Sequence, residues 1–115
     1  MIILLLTLIF GTTIYIENEP LETRIMPITA YSEIDSCHYE NCLMASGKRA
    51  YVGAVACPRS WELGTKITIN GKSYTCEDRY NANLPDRIDI FQGYGMESYK
   101  LAKEFGIKQE VVIIK

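Results

Sequence analysis

The stretch "LGTKITINGKSYTCED" (residues 63–78) carries the clearest structural pattern in the chain. Ile67 and Ile69 alternate with polar residues before the pair Asn70-Gly71, and Tyr74 continues the alternation beyond it. An Asn-Gly pair between two alternating segments is typical of a type I′ turn, because both residues accept a positive φ angle. The stretch therefore predicts a β-hairpin.

Two further stretches predict strands around this hairpin. "AYVGAVAC" (50–57) is short and rich in small residues, whereas "RIDIF" (87–91) alternates polar and apolar side chains. Because side chains in a strand point alternately to opposite faces, Arg87 and Asp89 are expected on one face and the two isoleucines on the other.

The ends of the same region complete the pattern. "MPITAYSEI" (26–34) is expected to be extended before it enters a polar loop, and "KQEVVIIK" (108–115) closes the chain as a strand. "GMESYKLAKEFG" (95–106) changes to a helical period, with Gly106 at the C′ position. Many short strands and one short helix favour a small β-barrel.

Length and charge limit the domain count and the partners. The chain has 115 residues, a formal net charge of −2 and a sequence pI of about 5.4. A single domain is expected at this length. Without a basic surface to attract phosphates, nucleic acid is not an expected partner, and a ligand that is uncharged or of mixed charge fits better.

The first residues differ in composition from the rest of the chain. "MIILLLTLIFGTTIYI" (1–16) contains no charged side chain. A membrane span needs about 20 apolar residues, so this segment predicts a signal peptide or an N-terminal membrane anchor. No basic residue precedes it and no clear cleavage site follows it, so a strand or helix of the domain itself remains an alternative. Residues 17–26 are expected to be a linker, and residues 27–115 the domain.

The chain has four cysteines, an even number that in a short exported protein indicates disulfides. We favour the pairs Cys37–Cys42 and Cys57–Cys76, although the other two connectivities stay possible. The alternative is zinc. With a single histidine, His38, and no Cys-x-x-Cys pair, no metal site is expected.

Seven short motifs together resemble a known family. In chain order they are "TAY" (29–31), "ASG" (45–47), "GAVACP" (53–58), "LGTKITI" (63–69), "CEDR" (76–79), "RIDIF" (87–91) and "FG" (105–106). Their order and spacing are similar to those of the 3D domain, a double-psi β-barrel found in membrane-bound lytic transglycosylase A and related to rare lipoprotein A and the expansins. The resemblance covers about residues 27–115. It implies a mainly β fold, a six-stranded double-psi β-barrel with one or two short helices, here stapled by disulfides.

The resemblance also implies a catalytic site. The paired aspartates of the family correspond to Asp78 and Asp89, which stand eleven residues apart. Asp89 is expected to be the catalytic acid/base, Asp78 its carboxylate neighbour and Thr29 a polar partner. Independently of the resemblance, Glu77 in the motif "CEDR" is expected on a solvated strand face.

The sequence departs from the family pattern at two places. A third aspartate of the family falls on Cys57, and the glycine-rich catalytic loop is replaced by residues that include Tyr80-Asn81 and Leu84-Pro85. Tyr80, Asn81 and Asn83 offer a ring for stacking and amides for sugar hydroxyls, although such a segment also fits an ordinary loop. Together with these three, the residues expected to bind substrate are Thr29, Tyr31 and Arg87.

The function implied is that of an exported or membrane-anchored protein of the cell envelope that cleaves the glycan strands of peptidoglycan, as a lytic transglycosylase does. We expect no cofactor and a monomer. Two alternatives remain. One is a hydrolase of another β-1,4 glycan, in which Asp78 activates a water molecule. The other is a non-catalytic module that binds or loosens the wall, as expansins do.

Overall fold

The structure is a computed structural model that describes residues 2–7, 13–18, 21–37, 41–80 and 83–115. The elements within these ranges are β1 (Ile2–Thr7), β2 (Thr13–Asn18), β3 (Glu22–Tyr31), α1 (Glu33–Ser36), β4 (Ala54–Cys57), β5 (Lys66–Ile69), β6 (Lys72–Arg79), β7 (Ile88–Phe91), α2 (Gly95–Phe105) and β8 (Lys108–Ile114).

Six strands form a closed barrel in the order β3-β7-β4-β6-β5-β8. The pairs β3–β7 and β4–β6 are parallel, and the other four pairs are antiparallel. The described part of the chain is therefore mainly β with two helices, and the fold class expected from the sequence is confirmed. Closure leaves the barrel without a free sheet edge.

The local predictions around the hairpin hold. β5 and β6 pair from Ile69 and Lys72 outward, and the φ angles of Asn70 and Gly71 are 50° and 77°, both positive as a type I′ turn requires. At the other end of the fold, α2 stops before Gly106, whose φ angle is 68°. A residue with a Cβ atom is strained at such an angle, which explains glycine at the helix end.

The barrel interior is filled by apolar side chains from all six strands. Its buried members are Met26, Ile28, Val55, Cys57, Ile67, Ile69, Cys76, Ile88, Ile90 and Val112. Ile88 and Ile90 point inward, as the alternation in β7 predicts. The Cys57–Cys76 disulfide lies in this interior and joins the neighbouring strands β4 and β6.

A second apolar layer lies outside one wall of the barrel. Residues 41–53, here called the cover segment, pack against the outward side chains of β3, β4 and β7. The buried members of this outer cluster are Tyr31, Cys42, Met44, Ala50, Ala54, Ala56 and Phe91. The Cys37–Cys42 disulfide connects the end of α1 to the start of the cover segment. Both favoured disulfide pairings are thus confirmed, and they indicate an oxidising environment.

The strands β1 and β2 pair with each other in a two-stranded sheet that is separate from the barrel. The first barrel strand, β3, begins at Glu22, before the residue 27 at which the domain was expected to start. Within the described ranges, no helix combines the length and apolarity that a bilayer crossing requires. The signal peptide or anchor stays a prediction.

Candidate functional site

An irregularity in β6 sets the direction of Asp78. In the parallel pair β4–β6, Val55 lies opposite Cys76, but the next residue, Ala56, lies opposite Asp78. Glu77 is therefore an extra residue, which is the definition of a β-bulge. Without the bulge, Asp78 would follow Cys76 into the barrel interior; with it, Asp78 shares the outer face with Ala56.

The same face carries Asp89. In β7, Asp89 pairs with Thr29 of β3 on one side and with Ala56 of β4 on the other. Thr29, Asp89, Ala56 and Asp78 therefore form a row across four adjacent strands. Because neighbouring strands are about 4.8 Å apart, the backbones of the two aspartates are separated by roughly 10 Å. The fold thus brings both predicted aspartates to one face, with the small Ala56 between them.

A cavity of about 390 Å³ opens beside Asp89, between β3, β7 and the helices. Its polar lining residues are Thr29, Tyr31, Asp35, Arg87, Asp89 and Lys103. Four of these six were predicted as site residues from the sequence. Ala102, near the C-terminal end of α2, and Ile107, just after the helix, supply an apolar side of the cavity.

The environment of Asp89 suits an acid. Thr29 Oγ1 donates a hydrogen bond of 2.9 Å to Asp89 Oδ1. Burial raises the pKa of Asp89, and this outweighs the opposing effects of the Thr29 hydrogen bond and the positive Arg87. The negative charges of Asp35 and Asp78 raise the pKa further. A carboxyl group with a raised pKa retains its proton closer to neutral pH, as a general acid must.

Asp78 is turned toward the cover segment and does not line the cavity. Its Oδ1 accepts hydrogen bonds from the backbone N–H of Ala45, at 3.1 Å, and from that of Arg79, at 2.9 Å. Asp78 therefore holds the cover segment against the barrel and acts on Asp89 through its charge.

Tyr31 lies on the same outer face and is near both acids. Only 7% of it is exposed, and its hydroxyl makes no hydrogen bond of good geometry with any described residue. Burial raises the pKa of Tyr31 far above its ordinary value, and the charges of Asp78 and Asp89 add to this. Both carboxylates are thus near the hydroxyl: Asp78 acts on it as a hydrogen-bond acceptor and by its charge, and Asp89 by its charge alone.

Only some of the other residues expected to bind substrate line the cavity. Arg87 lines the cavity, and its backbone N–H donates a 2.8 Å hydrogen bond to the Tyr80 hydroxyl while its guanidinium lies 5.5 Å from the centre of that ring. Tyr80 itself packs against the outer cluster rather than lining the cavity. Asn83 is exposed and is not a lining residue. Asn81 and His38 lie outside the described residues.

Two of the polar residues that line the cavity were not found from the sequence. Lys103 comes from α2, and Asp35 from α1. Asp35 Oδ2 accepts hydrogen bonds from the Ser32 backbone N–H, at 2.9 Å, and from Ser32 Oγ, at 3.1 Å. A Ser-x-x-Asp pattern is a helix-start signal, and this pattern is present in the sequence. It fixes the Asp35 side chain but gives no sign that a cavity lies beside it.

The expectation that Glu77 faces solvent was wrong. Only 3% of Glu77 is exposed, because the bulge places it under the cover segment. The Tyr51 hydroxyl donates a 2.7 Å hydrogen bond to Glu77 Oε2, and Lys48 Nζ lies 3.2 Å from the same oxygen. Burial alone would raise the pKa of Glu77, but the Tyr51 and Lys48 contacts outweigh it and the pKa is lowered.

We therefore expect the free energy of unfolding of Glu77→Gln to change less between pH 7 and pH 3 than that of the wild type. A lowered folded-state pKa stabilises the fold above the unfolded value of about 4.3, and this contribution is lost as pH falls through the folded-state value. At pH 7 the substitution is expected to destabilise by about 1–3 kcal/mol, since a hydrogen bond to a buried charge is lost. Urea unfolding from pH 3 to 7 measures this, with the exposed Glu62→Gln as control. Equal pH profiles for wild type and Glu77→Gln would contradict the assignment.

Comparison with known proteins adds no assignment. No protein-family model matches the chain, and no curated protein matches it significantly. Among the described residues, no group of three or more His, Cys, Asp or Glu side chains is placed to hold a metal ion.

Proposed function

We propose that this protein acts on the cell wall and cleaves peptidoglycan glycan strands as a lytic transglycosylase does, with Asp89 as the acid/base. The observation that carries the proposal is the position of Asp89: a partly buried carboxyl group with a raised pKa at the side of a cavity of about 390 Å³. General acids in enzymes are tuned in this way, and perturbed pKa values in clefts mark candidate functional sites.

The fold supports the resemblance on which the proposal partly rests. The barrel is closed, has six strands and contains two parallel pairs, β3–β7 and β4–β6. This arrangement agrees with a double-psi β-barrel of the 3D type. Fold alone does not determine chemistry, so the argument for catalysis depends on the site.

The chemistry needs one group that first gives and then takes a proton. Protonated Asp89 donates its proton to the oxygen of the bond between N-acetylmuramic acid and N-acetylglucosamine, and that bond breaks. The resulting carboxylate takes the proton of the muramoyl C6 hydroxyl, whose oxygen bonds to C1 and closes a 1,6-anhydro ring. The hydrogen bond from Thr29 to Oδ1 fixes the carboxyl group, so that Oδ2 is the oxygen for proton transfer.

The environment of Asp78 argues against a hydrolase in which Asp78 activates the water molecule. A base that activates water must reach the substrate, and Asp78 faces backbone N–H groups of Ala45 and Arg79 instead. Asp35 does line the cavity beside Asp89. A hydrolase with Asp35 as base is therefore the second candidate, because glycosidases usually work with two carboxyl groups.

The proposed location is the cell envelope. The two disulfides fit an oxidising compartment, and the apolar segment 1–16 fits export or anchoring. The proposed partner is the peptidoglycan polymer itself.

Incubation of the oxidised full chain with purified murein sacculi separates an enzyme from a binding module. We expect soluble muropeptides to accumulate with time, at a rate proportional to protein concentration. Co-sedimentation of the protein with intact sacculi, with no soluble fragments, would contradict the catalytic proposal and favour the wall-binding alternative.

A further inference from the structure

The Tyr31 hydroxyl is a buried polar group for which the described residues provide no hydrogen bond of good geometry. Nearly all buried polar groups in folded proteins have a hydrogen-bond partner, and one without a partner destabilises the fold. Tyr31 is 93% buried, from its 7% exposure, and it lines the cavity that holds Asp89. An unsatisfied hydroxyl beside a candidate acid suggests a role that the resting structure does not complete.

The strand register explains how one hydroxyl reaches both acids. Tyr31 pairs with Phe91, two residues beyond the pair Thr29–Asp89, so its side chain shares their outer face. It packs in the outer cluster with Ala56, which lies between Asp89 and Asp78 in the row of four strands. Ala56 carries only a methyl group, which leaves room on this face for a larger neighbouring side chain.

We propose that the Tyr31 hydroxyl is a shared hydrogen-bond donor that couples Asp78 to Asp89, and that Tyr31 is a positioning residue for the acid. The catalytic consequence rests on the proposed function. The coupling between the two carboxyl groups does not, since it is a property of the free protein.

The donor changes its partner during the reaction. While Asp89 is protonated, the Tyr31 O–H is directed to Asp78. After Asp89 has given its proton to the leaving oxygen, the hydroxyl hydrogen turns to the new carboxylate and stabilises its charge. Because the pKa of Tyr31 lies far above its ordinary value, the hydroxyl keeps its proton throughout. No covalent bond forms or breaks at Tyr31.

Other groups also act on Asp89 and belong in the experiment. Those that face it or share its cavity are Thr29 on β3, Arg87 on β7, Asp78 on β6, Asp35 on α1 and Lys103 on α2. Tyr94 also contributes to the raised pKa of Tyr31. None of these is altered by Tyr31→Phe, which removes one oxygen atom.

A double-mutant cycle tests the coupling without substrate. The carboxyl carbon of Asp89 is followed by NMR against pH in the full chain, for wild type, Tyr31→Phe, Asp78→Asn and the double variant. We expect Tyr31→Phe to raise the pKa of Asp89, because the ionised form loses a donor. Asp78→Asn should lower the pKa of Asp89. The decrease should be larger when Tyr31 is present, since the released hydroxyl then donates to Asp89 alone. Equal shifts from Asp78→Asn in both backgrounds, or no shift from Tyr31→Phe, would overturn the proposal.

A matched control separates coupling from a fold effect. Tyr51→Phe removes the same atom from a hydroxyl that bonds Glu77 and does not line the cavity. It should leave the Asp89 titration unchanged. Tyr31→Phe should fold normally, because the hydroxyl makes no hydrogen bond of good geometry with the described residues and phenylalanine keeps the ring in the outer cluster.

Turnover of sacculi provides the second measurement. With Tyr31→Phe we expect kcat to fall about tenfold to a hundredfold, the loss of one hydrogen bond to a charged group, with KM little changed. If wild type releases no fragments while the titration shows coupling, the proposed function fails and the coupling stands. If wild type is active and kcat of Tyr31→Phe is unchanged, the positioning role fails.

Discussion

Asp89→Asn is expected to reduce the release of muropeptides from sacculi by about 10²- to 10⁴-fold, the usual contribution of a general acid or base. Asparagine matches aspartate in shape, and its amide oxygen still accepts the Thr29 hydrogen bond. It carries no proton that can be transferred. The loss should therefore appear in kcat, with binding to sacculi retained.

The same substitution is expected to raise the thermal stability at pH 7. Since burial raises the folded-state pKa of Asp89, its protonated form stabilises the fold below the unfolded value of about 3.9, and this is lost as pH rises through the folded-state pKa. Asparagine does not ionise, so the variant does not lose this stability as pH rises to 7. Stability gained as activity disappears is a common property of active-site residues.

The control for both effects is Asp86→Asn, because Asp86 is exposed and does not line the cavity. It should change neither the rate nor the melting temperature. A full rate for Asp89→Asn, or equal rate losses for both variants, would contradict the role of Asp89.

The second large effect concerns the disulfide inside the barrel. Replacing Cys57 and Cys76 together by alanine is expected to destabilise the fold by about 3 kcal/mol from chain entropy alone. The two sulfur atoms are also fully buried, so their loss leaves a cavity and adds to this. Urea unfolding of the oxidised protein at pH 7 measures the difference.

The matched comparison is the double alanine variant of Cys37 and Cys42. Cys37 and Cys42 are 5 residues apart in the sequence, whereas Cys57 and Cys76 are 19 residues apart. The shorter loop lowers the expected entropic loss to about 2 kcal/mol. If loss of the Cys37–Cys42 pair proved the more destabilising, the barrel interior would not be the main site of disulfide stabilisation.

The elements predicted best from the sequence are those defined by neighbouring residues. The turn at Asn70-Gly71, the end of α2 before Gly106 and the two faces of β7 follow from local preferences and side-chain alternation. The two disulfides were favoured among three possibilities, with Cys37–Cys42 closing the short loop "CHYENC" and Cys57–Cys76 joining the middle of the domain, and the structure has both. The small barrel followed from the number of short strands.

The features that the sequence did not predict depend on contacts between distant segments. Glu77 reads as an exposed residue of an alternating strand, and only the pairing of β6 with β4 reveals the bulge that buries it. Asp35 enters the site because α1 is held beside α2, where Glu33 Oε1 accepts a 2.8 Å hydrogen bond from the Gly95 N–H. No local pattern shows that packing.

The most direct test of the central claim is the chemistry of the product ends. Oxidised full-length protein and Asp89→Asn are incubated in parallel with murein sacculi, and the soluble fragments are analysed by mass spectrometry. The proposal predicts muropeptides with 1,6-anhydro ends from the wild type and almost none from the variant. Reducing ends would show hydrolysis, and an absence of fragments from the wild type would show that Asp89 does not cleave this polymer.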